Sequence, residues 1–474
     1  MNQYAKLAGV FLLAVILWFV PHPSGLTDQA WHIFVAFITA ILAIIINATS
    51  ILAASLFATA AVVLTKSLEP AKAYAGFSQG FIILILVAFL ISNVVVRTGL
   101  GKRIALTMIK WFGKSSLGLG YSLMATDMIL APAFPSNTAR SGVLYPIALS
   151  LAMDSGSHPD DGTQKRLGNY LMMVSMAGLT ISSGMWITAM AANLAGVEMA
   201  KALGVNISYQ GWFVYALVPS LVGFVILPWF LFKICAPEMK ATPQAPVLAK
   251  KMLAELGPMS GLEKLTALVF VGMVIGWAFA DNLNKIFSSV LVERTAIAFL
   301  GLAILLVAKA FTDEDLKKQG VALVTFIWFS LLYALSTGLN SSGFMTYMGK
   351  VLTNYVAGMP WMWVYVILVV GYVLIHYLFV SQTAQMMALF SVFLSVGIAS
   401  GVNPTLLAMM LLLATNFNSA ITPQGSSANV LFVGSGYLTT SEIYWYGALV
   451  TALNTVLFLT LGSAWILLVY QMIG

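Results

Sequence analysis

Two short polar clusters interrupt apolar sequence and hold the groups best able to do chemistry: Ser136-Asn137-Thr138, preceded by Pro135, and Ser381-Gln382-Thr383. Hydroxyl and carboxamide side chains at a helix start cap the first turn. The helix N-terminus adds unpaired N–H groups and a partial positive charge. Together these suit an anionic oxygen such as a carboxylate. Two further polar stretches fall inside long apolar runs. One is Ser182-Ser183-Gly184, followed by Asn193; the other is Thr422-Pro423-Gln424-Gly425-Ser426, followed by Asn429. Pro423 has no amide donor and Gly425 frees the backbone, so helix breaks are expected at 180–184 and 422–427. Freed carbonyls and hydroxyls there suit a cation, or support for a facing tip.

Arg140, four residues beyond Ser136, is a basic residue placed within the membrane away from any loop, which makes it a functional candidate. Its planar fork fits a carboxylate in bidentate fashion. Asp127, just upstream, can instead hold it in a structural ion pair, and the two readings stand side by side. His376 precedes the second cluster; it could titrate in a proton-coupled cycle, but a lone His is more often a hydrogen-bonded packing residue.

The elements that must position these residues are membrane helices. Of 474 residues, 60% are hydrophobic and 8% charged, with mean hydropathy +0.94, far from the roughly one-quarter charged residues of a soluble chain. Eleven apolar spans are expected: 6–21, 29–47, 49–65, 80–97, 168–195, 211–235, 263–281, 293–311, 321–339, 404–434 and 443–472. Regions 118–152 and 361–400 are each broken near the middle by a polar cluster and read as re-entrant hairpins. The fold class is therefore an all-α polytopic membrane protein with two inverted-topology repeats. Its divisions are an N-terminal span (1–28), repeat 1 (29–235), a cytoplasmic linker (236–262) and repeat 2 (263–474).

The repeats rest on an ungapped match of 136–150 (SNTARSGVLYPIALS) with 381–395 (SQTAQMMALFSVFLS), identical at six of fifteen positions. In this match Arg140 falls on Gln385. Inverted repeats with interrupted helices mark secondary transporters. Basic residues such as Arg97, Lys102, Arg103, Lys110 and Lys114 gather in loops that are cytoplasmic if the N-terminus is inside and the C-terminus outside. The net charge of +7 thus concerns orientation and not nucleic acid. The single cysteine, Cys235, excludes an internal disulfide, and the four histidines form no metal-spaced pair. No enzyme motif and no cofactor site is expected.

The Ser-Asn-Thr tip, its second copy, and the Thr-Pro break followed by Asn429 and Gly434-Ser435-Gly436 resemble the divalent anion:sodium symporter family, also called the INDY family. The resemblance covers nearly the whole chain. It implies eleven spans with two hairpins, a homodimer in the plasma membrane, elevator-type alternating access, and C4–C6 di- or tricarboxylate substrates. It also implies substrate contacts from Ser136, Asn137, Thr138, Ser381 and Thr383. There are two departures: Gln382 stands in place of Asn, and the first motif continues to Arg140, a longer form that is similar to the exchanger branch of the family. The expectation is that Arg140 supplies fixed charge near the place where symporters bind sodium. This makes the chain a sodium-independent dicarboxylate exchanger, with sodium-coupled symport as the alternative.

Overall fold

The computed structural model describes residues 2–286 and 291–473. Among them the chain is helical and no sheet forms; one isolated bridge pairs Ser115 with Ala241. Eight helices are long and apolar enough to cross a membrane. They include Asp28–Ile45, Gly80–Arg97, Tyr209–Ile234, Gly261–Ile286 and Gly320–Ser341. Shorter apolar helices are Gln3–Phe19, Ile51–Leu64, Arg294–Val307 and Pro404–Phe417. Each of the eleven expected spans therefore falls on helix, two of them with an internal break.

Both regions expected as hairpins are helix–break–helix units of the same length. The first runs Ser116–Leu130, a 3-10 turn Ala131–Ala133, and Asn137–Asp154. The second runs Trp361–Ile375, a 3-10 turn His376–Leu378, and Gln382–Ala399. Every boundary recurs at a constant spacing of 245 residues. The resemblance extends upstream. The amphipathic helix Leu100–Phe112 starts from Gly99 in the left-handed region (φ 81°), and Phe344–Thr353 starts from Gly343 (φ 84°). These turns need positive φ, which glycine supplies without strain.

One break lies elsewhere than the sequence suggested. Helix Gly168–Met185 runs unbroken through 180–184, and the chain opens at 186–190 around a short 3-10 turn, Ile187–Ala189. The hydroxyl of Thr180 explains the shift: it donates to the carbonyl of Ala177 on its own helix. Ser and Thr satisfied in this way are compatible with helix. The second break spans 418–428, between Pro404–Phe417 and Asn429–Val433.

The chain forms two compact units that cut across the sequence halves. One comprises the N-terminal residues to Leu86, Leu194–Ile207 and Gln319–Thr415; the other comprises Val87–Asn193, Ser208–Lys318 and the chain from Asn416 onward. The first unit packs Ala30, Ile33, Phe37 and Ile41 against Leu332, Leu335 and Leu339. The second is tied by Arg103, whose Nε and Nη2 donate to the two Glu263 oxygens at 2.5 and 3.1 Å. Small residues allow backbones to approach closely, as membrane helix contacts require. A Cβ at Gly76 would lie 2.0 Å from the Ser330 carbonyl oxygen, whereas one at Gly272 would meet nothing within 4 Å.

Gly76→Ala is therefore expected to destabilise the protein by ~1–3 kcal/mol or more through overpacking against backbone. Gly272→Ala, in mid-helix, should stabilise it by ~0.5–1 kcal/mol. Thermal unfolding of the two variants in one detergent measures the contrast. Equal melting temperatures would contradict the packing described.

Candidate functional site

The first tip is a capped helix start. Ser136 is extended (φ −149°, ψ 124°), and its hydroxyl accepts from the Ala139 N–H at 3.4 Å. The second tip repeats the geometry: Ser381 (φ −149°, ψ 123°) accepts from the Ala384 N–H at 3.3 Å. Each cap opens an 18-residue helix, so each tip combines first-turn N–H groups with the positive end of a helix dipole. Ser136, Ser381 and Thr383 are half-buried, Thr138 is exposed, and Asn137 and Gln382 are buried.

Below the first tip lies a buried polar network. Arg140 is fully buried, and its Nε lies 2.9 Å from Asp127 Oδ1. Its Nη1 donates to the Ala189 carbonyl at 3.1 Å, and its Nη2 donates to Asn137 Oδ1 and to the Ser183 hydroxyl, both at 2.8 Å. Ser182 donates to the second Asp127 oxygen, and Ser183 donates to Asn137 Oδ1 at 2.8 Å. Arg140 thus joins the tip to the helix carrying Ser182 and Ser183 and to the break after it. The ion pair with Asp127, one of the two readings of Arg140, is present in the structure.

The second tip has a network built on a carboxamide at the matching positions. Gln385, which falls on Arg140, donates from Nε2 to the Tyr372 carbonyl at 2.6 Å; Tyr372 falls on Asp127 at the same 245-residue spacing. Gln385 Oε1 lies 2.8 Å from His376 Nδ1, and Gln382 Nε2 donates to the Thr415 carbonyl at 2.6 Å. With Gln385 Nε2 engaged as a donor, its Oε1 must accept, so His376 carries a proton on Nδ1.

The two breaks share one clamp. Asn193 Nδ2 donates to the carbonyls of Ser183 (2.9 Å) and Trp186 (3.2 Å), ten and seven residues upstream. Asn429 Nδ2 does the same for Ser419 (2.8 Å) and Thr422 (3.0 Å) at the same two separations. Around the second break the Gly425 N–H donates to the Thr422 carbonyl, and the Ser426 hydroxyl accepts from the Ala428 N–H. Pro423 is half-buried and Gln424 is exposed. The Gly184 carbonyl accepts from the Trp212 indole, so it serves packing in this structure.

One contributor, Asn416, was missed from sequence, whereas Ser427 lies in the break expected at 422–427. Ser427, exposed beside Thr138, shares a 2.6 Å hydrogen bond with it. Asn416 donates to Asn193 Oδ1 at 2.8 Å and joins the two clamps within one unit. The polar run Thr415-Asn416-Phe417-Asn418-Ser419 in an apolar segment was the available signal. Among the described residues no group of three His, Cys, Asp or Glu side chains assembles a metal site.

The chain matches, over residues 1–471, the family model described as sodium:sulfate symporter transmembrane region. It is 36% identical over 455 residues to a putative malate transporter, YflS, of Bacillus subtilis, covering 96% of this chain and 94% of that protein. Identity to dicarboxylate transporter 1 of Spinacia oleracea chloroplasts is also 36%, over 96% of this chain and 79% of that one. The inner membrane protein YbhI of Escherichia coli is 32% identical, covering 98% of each chain. Among solved structures, Neisseria gonorrhoeae MtrF aligns with a TM-score of 0.61 at 13% identity, covering 97% of each chain. The YdaH transporter of Alcanivorax borkumensis aligns at 0.58 and 12% identity, covering 83% of this chain and 87% of that one. These two likenesses concern the fold.

Two substitutions test the networks. Asp127→Asn leaves Arg140 buried without its counter-charge and should cost ~3–5 kcal/mol. Asn429→Ala removes the donor from two buried carbonyls and should cost ~1–3 kcal/mol for each group left unsatisfied. Denaturation in detergent reads both, and a wild-type midpoint for Asp127→Asn would show that the pair does not hold the tip.

Proposed function

This chain belongs to the sodium:sulfate symporter transmembrane family, the divalent anion:sodium symporters, and from that premise we propose that it carries succinate-, malate- and 2-oxoglutarate-class anions across the membrane. It is a multi-pass membrane transporter, not an enzyme, and its relatives include proteins named as dicarboxylate and malate transporters. The observation that carries the reading is the duplicated tip, with caps of equal backbone angles on helices of equal length. Each tip offers hydroxyl, carboxamide and backbone donors to one carboxylate: Ser136, Asn137 and Thr138 in one case, Ser381, Gln382 and Thr383 in the other.

On coupling, the family's description favours sodium symport over the exchange expected from sequence. The ion pair weakens the case for exchange, because Asp127 cancels the fixed charge that Arg140 was to supply. The Thr422 hydroxyl oxygen, buried beside the second break with no hydrogen-bond partner among the described residues, is an oxygen ligand available to a hard cation. Sodium-independent exchange is the second reading, and one observation favours it. The oxygens of Asn137, Ser183 and Ala189, which would suit a cation beside the first tip, receive guanidinium N–H groups instead.

The wider reading keeps the two helix–break–helix units as re-entrant hairpins of inverted repeats. It includes an inside N-terminus, a homodimer and elevator-type alternating access. Reconstituted vesicles decide the coupling. Sodium-driven dicarboxylate uptake into vesicles without internal dicarboxylate is the expected result; uptake that needs internal dicarboxylate and ignores sodium would establish exchange. Ser136→Ala and Ser381→Ala should each weaken substrate affinity ~10- to 100-fold, the worth of one hydrogen bond to a charged group. Wild-type affinity in both would remove the tips from the site.

A further inference from the structure

A cavity lies away from the tips, within the unit that holds the first tip. It has a volume of about 310 Å³ and lies between the helices Leu100–Phe112, Asn137–Asp154 and Gln244–Leu256. That volume is at the lower end of the range for small-molecule sites. Its walls are largely apolar, with Leu106, Pro146 and Met252 among them, and among the described residues Lys102 is the one basic residue that lines it. Two features of the tip helix keep the space open. A Cβ at Gly142 would meet nothing within 4 Å, and Pro146 has no N–H to return to the Gly142 carbonyl.

The surroundings identify the occupant. Val96, which lines the cavity, is 47% exposed on the apolar helix Gly80–Arg97, so the space is continuous with a face that lipid covers. Helix Leu100–Phe112 buries Leu100, Ala105, Leu106 and Ile109 and exposes Lys102, Lys110, Trp111 and Phe112. That is the pattern of a helix lying in the membrane interface. On the far wall, the exposed Lys250 and Lys251 stand between the lining residues Ala249 and Met252. The other polar lining side chain, Ser150, donates its hydroxyl to Asp154 at 3.1 Å. An apolar slot at interface depth with a lysine at its wall fits an acyl chain attached to an anionic head.

We propose that this cavity binds an anionic phospholipid of the bilayer, with one acyl chain between the tip helix and the Gln244–Leu256 helix and its phosphate on Lys102. The site involves neither tip, so it stands or falls apart from the transport reading. The bound chain packs along Gly142 and Pro146 and so braces the helix whose N-terminus is the first tip.

The test is thermal unfolding of the full-length protein in neutral detergent. It is supplemented in turn with phosphatidylglycerol, phosphatidylcholine, dodecanoate or inorganic phosphate. Phosphatidylglycerol should raise the wild-type midpoint by several degrees, and phosphatidylcholine by much less. Lys102→Gln, a change at an exposed side chain, should weaken the phosphatidylglycerol response about tenfold in lipid concentration; Lys110→Gln on the same helix should not. Gly142→Phe, which fills the space, should abolish the response without lowering the lipid-free midpoint. The proposal is overturned if both phospholipids act alike, or if Lys102→Gln responds as the wild type does. A full effect from dodecanoate would replace the phospholipid by a fatty acid, and one from phosphate alone would remove the acyl slot.

Discussion

Main-chain polar groups have nowhere to go in hydrocarbon, and the architecture of this chain follows from that constraint. An unpaired N–H or C=O there costs several kcal/mol, so a helix can be interrupted only where side chains replace the missing partners. Asn193 and Asn429 each supply one amide to two carbonyls, and Ser136 and Ser381 each supply a hydroxyl to an orphan N–H. With these four residues in place the breaks are ordered structures. An ordered break can present a fixed set of donors to an anion, which a flexible loop would have to organise anew at each binding event.

The duplicated frame does not imply duplicated chemistry. At the position one turn past the cap, the first half places a guanidinium against a carboxylate, and the second places a carboxamide against a backbone carbonyl. Both solutions tie the tip helix to its preceding arm. The charged one also reaches Ala189, Asn137 and Ser183, because a guanidinium offers five donors in one plane. The neutral one recruits His376 to complete its hydrogen bonds. Asymmetry of this kind leaves one cradle resting on an ion pair and the other on carboxamide, imidazole and backbone groups.

Much of this was legible in residue types. Runs of about twenty apolar residues located the spans, since the bilayer fixes their length. The Ser-Asn-Thr and Ser-Gln-Thr triplets located the caps because hydroxyls at a helix start have few other roles in an apolar setting. The alignment of 136–150 with 381–395 anticipated the constant 245-residue spacing of the helix boundaries. The break at 186–190 was not legible: a cluster of Ser and Thr resembles an interruption, yet each hydroxyl can bond its own helix, as Thr180 does. The pairing of Asp127 with Arg140 was also undetermined, because they stand 13 positions apart across a break and only folding sets their distance. Nor could periodicity show that Leu194–Ile207 joins a unit otherwise built from the N-terminal helices and 319–415.

The Asp127–Arg140 pair has one more consequence, which concerns voltage. A lone charge displaced through the full membrane field gains or loses ~2.3 kcal/mol per 100 mV. The pair sums to zero, so any displacement of this region through the field leaves the protein's own charge contribution there unchanged. A transport current through this region would then report the charge on the cargo and its co-transported ions, not gating charge borne by the tip.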